Sequence, residues 1–172
     1  IGSLFYFGNS QFLLQEYYDI TVFFRKVVLR AIIIYILILP IFTLWLPLKN
    51  LYFGYVFNIK SIIFLWISGF INLILIINLL LKNFWGRARP GEIIQLGGKD
   101  AFTPWYKMSQ ACETNCSFVS GDASIGFSVF VLYFLTKNEV YLWLAFISGF
   151  ALGLIRIMEG GHFVSDIVMA AM

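Results

Sequence analysis

The chain has 172 residues, of which 60% are apolar and 12% charged, with a formal net charge of +3. Soluble domains carry about 25% charged residues, and the mean hydropathy here is +0.86, which together argue against a water-soluble domain and against disorder. No Lys/Arg-rich run appears, so nucleic-acid binding has no electrostatic footprint, and the composition is that of a membrane protein.

A spanning helix needs about 20 apolar residues. Ile1 to Lys26 is aromatic and partly polar, shows no signal-peptide pattern, and reads as an interfacial lead-in. Val27 to Leu46 supplies a first span, with Arg30 and Pro40 inside it, and Pro47 to Lys60 a loop. Ser61 to Leu81 supplies a second span, followed by the long polar excursion Lys82 to Ser117. Phe118 to Thr136 is a third span, Lys137 to Val140 a tight turn, and Tyr141 to Met158 a fourth span. A fifth begins at His162 and stops at Met172. A soluble bundle of buried helices fits less well, because Tyr and Trp rim the apolar runs as they do at membrane interfaces. With no initiator Met and a last span cut short, the expectation is a fragment: one all-α transmembrane domain over residues 1–172, about six helices in full length, four complete and one truncated here.

The polar residues beside the spans fall into three groups. Lys82-Asn-Phe-Trp-Gly-Arg-Ala-Arg89-Pro90 follows the second span. Lys82 and Arg89 share a face if the helix runs two more turns, and Pro90 then closes it. Cations at a helix end are, by themselves, ordinary snorkelling residues. The second group, Ser117-Phe-Val-Ser120-Gly121-Asp122-Ala-Ser124, opens the third span. Ser120 or Asp122 can cap a helix there, and the same free N–H groups can hold a phosphate oxyanion. The third group, Arg156-Ile-Met-Glu-Gly160-Gly161-His162-Phe-Val-Ser-Asp166, contains the chain's one histidine. His162 and Asp166 stand four apart, so on a helix a carboxylate faces the imidazole.

Counting crossings puts all three groups on one membrane face, at the ends of four helices. Three permanent cations, Lys82, Arg89 and Arg156, with helix-start N–H groups suit a dianionic tetrahedral group. One histidine backed by one carboxylate suits nucleophilic attack on phosphorus. One His with few spaced carboxylates makes a poor metal cage, so neither metal nor cofactor is expected.

These groups resemble the type 2 phosphatidic acid phosphatase superfamily of membrane lipid phosphatases and phosphotransferases. Lys82 to Pro90 matches its first motif, a Lys, six residues and Arg-Pro; Arg156, His162 and Asp166 match the spacing of its third. The second motif, Pro-Ser-Gly-His, is altered: Val119 stands for Pro and Asp122 for His, and Ile155 replaces a frequent Ser in the third. The resemblance implies His162 as nucleophile forming a phosphohistidine, with Asp166 orienting it. It further implies phosphate binding by Lys82, Arg89, Ser120, Gly121 and Arg156, leaving Asp122 as the candidate acid for the leaving alcohol. Ala101 to Ser124 looks like the Gram-negative branch that includes lipid A phosphatases. The implied substrate is a phosphorylated membrane lipid of the lipid A, phosphatidylglycerol phosphate, phosphatidic acid or undecaprenyl diphosphate class. Two rivals keep the same residues, a lipid-to-lipid phosphotransferase and a non-catalytic phospholipid binding or transport protein.

Cys112 and Cys116 are the only cysteines, and spacing alone admits a disulfide or a reduced pair. The family's usual orientation favours the bridge and a bacterial inner-membrane protein with its site facing the periplasm. The chain is silent on oligomeric state.

Overall fold

The computed structural model describes residues 2–8, 11–46 and 48–172; Ile1 and Pro47, at the edges of two expected segments, lie outside them. Five helices carry the architecture, with no strand among the described residues beyond the isolated bridges Tyr6–Phe12 and Ile93–Asp100. α1 covers residues 18–42, as Tyr18–Ile33, a wider π segment Ile34–Ile38, and Leu39–Phe42. It starts nine residues before Val27, so part of the expected interfacial segment is helix. Arg25, one of the polar residues of that segment, is accommodated there because it meets carboxylates of other elements.

α2, Ile59–Phe84, is started by Asn58, whose side chain accepts from Ser61 N at 2.9 Å. Its second half, Phe70–Leu81, has π geometry. α3, Gly121–Thr136, begins three residues later than Phe118, because Ser120 is extended and caps the helix. α4, Val140–Met158, follows a turn at Lys137 with φ 56°. α5, Val164–Ala170, begins two residues after His162.

α2 and α4 are long and apolar enough to cross a membrane. α2 exposes Ile63, Trp66, Ile67, Phe70 and Ile74, an outward apolar face that lipid satisfies and water does not. Of the other two helices read as complete spans, α1 carries Arg25, Lys26 and Arg30. α3 is shorter, and at about 1.5 Å per residue it falls short of a roughly 30 Å hydrocarbon core.

The helices are fastened at two levels. Away from the polar groups, Ile36, Tyr52, Phe57, Leu65, Leu132 and Tyr141 form one core cluster, with Tyr52 Oη donating to Tyr35 O at 2.6 Å. Near the polar groups, Ala123 and Phe127 of α3 pack with Ile157 of α4 and Ile167 of α5. Between the levels α3 and α4 touch backbone to backbone. A Cβ on Gly126 would lie 2.6 Å from Gly149 Cα, and Ser148 Oγ donates to Gly126 O at 2.9 Å. Small residues are what let membrane helices approach this closely.

Gly126→Ala should therefore push α3 off α4 and destabilise the protein by roughly 1–3 kcal/mol, the usual cost of overpacking. Thermal unfolding in detergent checks this, and an unchanged Tm contradicts the close crossing.

Candidate functional site

The chain after α2 leaves the helix at Phe84, so Lys82 and Arg89 are not carried on one helical face as their spacing suggested. They meet by another route. Pro90 opens a short 3-10 turn, Pro90–Glu92, with Glu92 Oε2 accepting from Arg89 N at 3.0 Å. The long excursion then folds back on residues 85–89: Ser109 N donates to Trp85 O, Cys112 N to Gly86 O, and Ser117 N to Arg87 O at 2.8 Å. Cys112 and Cys116 form a disulfide in this returning segment. Asn115, between them in the loop, accepts from both motif cations: Lys82 Nζ is 3.4 Å from its Oδ1, and Arg89 Nη2 donates to its carbonyl at 2.8 Å.

The start of α3 lies against this pair. Ser120 Oγ accepts from Ala123 N at 3.4 Å, and Lys82 Nζ would be 3.4 Å from a Cβ on Gly121. Among the described residues no carboxylate is within ion-pair distance of the Lys82 or Arg89 side chain. Their charge is met by neutral oxygens, which leaves it available to an anion. Burial lowers the pKa of Arg89 and the neighbouring Arg156 lowers it further, yet an arginine keeps its proton in proteins.

α4 delivers Arg156 in its last turn. Arg156 Nη1 donates to Glu159 Oε2 at 2.5 Å. Its Nε is buried, lies 3.6 Å from Asp122 Oδ2, and has no hydrogen-bond partner among the described residues. Gly161 leaves the space for this guanidinium; a Cβ there would sit 2.5 Å from Nη2. Asp122, in the first turn of α3, also receives Arg25 Nε at 3.0 Å. Arg25 comes from α1, is only 8% exposed, and pairs through Nη1 with Glu159, whose other oxygen accepts from Thr21 Oγ1 at 2.6 Å.

His162 is 3% exposed, and its Nδ1 lies 2.6 Å from Ser117 O. A carbonyl only accepts, so Nδ1 carries the hydrogen and Nε2 keeps its lone pair. Asp166 Oδ2 is 3.7 Å from Nδ1, a neighbour by charge, not a direct hydrogen-bond partner. Asp166 itself has no solvent exposure. Its Oδ2 accepts from Ser117 Oγ at 2.5 Å and from Phe163 N at 2.9 Å, while Oδ1 is paired with Arg87. Burial lowers the pKa of His162; Asp166 opposes this, and Arg156 and Arg89 add to it.

The structure thus draws Lys82, Arg89, Ser120, Gly121, Asp122, Arg156, His162 and Asp166 into one linked cluster at the helix ends. It adds Arg25, Arg87, Asn115, Ser117 and Glu159 to the residues that build it. Arg25 had no signal, because its partners lie on the far side of the sequence. Arg87 was visible inside the first motif but looked like one more helix-end cation. Such a cluster, with a lone-pair nitrogen beside unneutralised cations and a helix start, can bind a phosphate and attack its phosphorus. Among the described residues no three of His, Cys, Asp and Glu gather as a metal-binding group.

A family model described as the PAP2 superfamily matches residues 60–172. The chain is similar to a lipid A 4'-phosphatase of Francisella tularensis subsp. novicida, at 41% identity over 113 residues, 63% of this chain and 51% of that protein. It is also similar to proteins of the same name from Rhizobium leguminosarum and Rhizobium etli, 34% and 32% identical over 99 residues, or 56% of this chain and 42% and 38% of theirs. The chain thus spans about half or less of the length of these relatives. No solved structure matches it.

Removing one partner of a buried ion pair strands the other, at a cost of about 3–5 kcal/mol. Arg25→Met should lose stability toward the low end of that range, since Glu159 and Asp122 each lose one guanidinium and keep Arg156. Denaturation of the purified variant reads this out, and wild-type stability would show that α1 is not held by the charge network.

Proposed function

The chain belongs to the PAP2 superfamily, and we propose that it forms the catalytic part of a membrane lipid phosphatase acting through a phosphohistidine on His162. The observation that carries this reading is the pairing of His162 Nδ1 with the Ser117 carbonyl. It commits the ring to the tautomer whose Nε2 can attack. Lys82, Arg89 and Arg156, with the N–H groups behind Ser120 and Gly121, hold the phosphate oxygens. They also stabilise the charge that grows on those oxygens in the transition state.

In the first step Nε2 forms a bond to phosphorus as the P–O bond to the lipid breaks, and the leaving oxygen needs a proton. Asp122 sits at the place for that donor. Its Oδ2 is engaged by Arg25 and Arg156, so it serves as a carboxylate that orients a water, and that water gives its proton to the leaving oxygen. Asp166 opposes the positive charge on the phosphorylated ring. In the second step the hydroxide left by that water bonds to phosphorus, the N–P bond breaks, and inorganic phosphate leaves.

The names of the similar proteins favour lipid A as the phosphomonoester substrate. The resemblance to other lipid phosphatases extends the class to phosphatidylglycerol phosphate, phosphatidic acid and undecaprenyl diphosphate. The Cys112–Cys116 disulfide supports a site facing an oxidising compartment, the periplasmic side of a bacterial inner membrane. We place about six helices in the whole protein, with α1, α2, α4 and the segment Phe118 to Thr136 that holds α3 crossing, and α5 beginning a fifth span.

Phosphate release from a panel of phosphorylated lipids tests this reading. His162→Ala should fall below about a thousandth of the wild-type rate, as loss of a covalent nucleophile does. Chelators should leave the rate unchanged. Turnover that survives the substitution, or dies with the chelator, overturns the mechanism.

The pH dependence has a defined sign. Burial lowers the pKa of His162, and only the neutral ring attacks, so activity is lost as pH falls through that lowered value. The acidic limb of kcat/KM should therefore lie below about 6.5, the ordinary imidazole value. A limb above it would contradict a buried, neutral nucleophile.

A further inference from the structure

Arg87 lies inside the first motif, yet its contacts are those of a support and not of a phosphate ligand. Its Nε donates to Thr103 O at 3.0 Å and its Nη1 to Ser165 Oγ at 2.8 Å, and Nη1 also pairs with Asp166 Oδ1. The guanidinium carbon stands 4.1 Å from the centre of the Phe163 ring and 5.8 Å from that of Phe102. Only 2% of the residue is exposed. Arg156, by contrast, keeps an unpartnered Nε among the described residues.

The two groups next to His162 Nδ1 are the Ser117 carbonyl at 2.6 Å and Asp166 Oδ2 at 3.7 Å. Arg87 holds both. Its backbone carbonyl accepts from Ser117 N at 2.8 Å, its guanidinium takes the far oxygen of Asp166, and Ser117 Oγ links the two by donating to Asp166 Oδ2 at 2.5 Å. We infer that Arg87 is a positioning residue for the attacking ring: it clamps Ser117 and Asp166 as one unit, and its charge limits how strongly Asp166 acts on His162. This rests on the reading of His162 as the nucleophile.

The charged groups facing the ring are Asp166 on its own segment, Arg89 after α2 and Arg156 at the end of α4, with Arg87 behind Asp166. Loss of the Arg87 charge leaves a histidine–carboxylate pair with one positive neighbour fewer, and such a pair takes up its proton at higher pH. A purely structural role for Arg87 would lower stability without moving that titration.

Isotope-labelled histidine, with the His162 signal assigned as the one missing from His162→Ala, reports that ring by NMR without any need for turnover. In Arg87→Gln the midpoint should rise by about one unit, and kcat for phosphate release from a lipid phosphomonoester should fall at least about tenfold with KM within about threefold. Arg87→Lys, which keeps the charge but not the flat guanidinium, should hold the midpoint within about 0.3 unit and still lose kcat rather than KM. A midpoint unmoved in Arg87→Gln overturns the proposal, as does a rise in KM with kcat intact in either variant. Where Arg87→Gln does not fold, the kcat-against-KM split of Arg87→Lys decides. If the wild-type protein releases no phosphate from any lipid, the phosphatase reading fails by itself, while the titration still decides whether Arg87 governs His162.

Discussion

A carboxylate with no exposure to water has to be matched on its lone pairs by the protein, and Asp166 is matched from three directions. Arg87 reaches it from the segment after α2, Ser117 from the segment before α3, and the Phe163 N–H from its own capping turn. Each partner belongs to a different part of the chain, so the carboxylate is satisfied only when all three have assembled. A buried charge left short of partners is costly, and that cost ties the folding of the excursion after α2 to the seating of α5. The imidazole inherits its orientation from this arrangement, because the serine that donates to Asp166 also presents its carbonyl to His162 Nδ1.

A second network, around Asp122 and Glu159, ties in the helix that the family match does not cover. Arg25 of α1 bridges the two carboxylates, and Arg156 touches both from the end of α4. α1 thereby becomes part of the site's wall. The arrangement also gives physical sense to an aspartate at the position where the resembled family has a histidine. A carboxylate can be shared by two guanidiniums, whereas a histidine there would have placed a further donor among cations. Lys82 and Arg89 form no ion pair with a carboxylate among the described residues and are held by the oxygens of Asn115.

The site was legible in the sequence to the extent that its residues sit at fixed spacings beside helix ends. Lys82, Arg89, Arg156, His162 and Asp166 stood out because charge at the end of an apolar run is conspicuous, and Ser120 because a serine before a glycine is a ready helix start. Its supports were not legible. Arg25 to Glu159 spans 134 positions, and nothing local distinguishes Arg25 from Lys26 beside it. Arg87 falls among the six unspecified residues of the first motif, so only its surroundings after folding reveal its part. The direct partner of His162 is a backbone carbonyl, which every residue possesses, so no residue type announces it. The helices were readable in type and order, since long apolar runs leave little choice. Their ends shifted where polar chemistry decided them: α1 began early because Arg25 is paired with Asp122 and Glu159, and α3 began late because Ser120 is extended and caps it.

The account stands on a bond between phosphorus and the Nε2 of His162, and that bond can be caught. A lipid phosphomonoester labelled in its phosphate, mixed with enzyme and quenched in alkali within a single turnover, should leave the label on the peptide that contains His162, in acid-labile, alkali-stable form. Label on any other residue, or no protein-bound label while phosphate is being released, would contradict it.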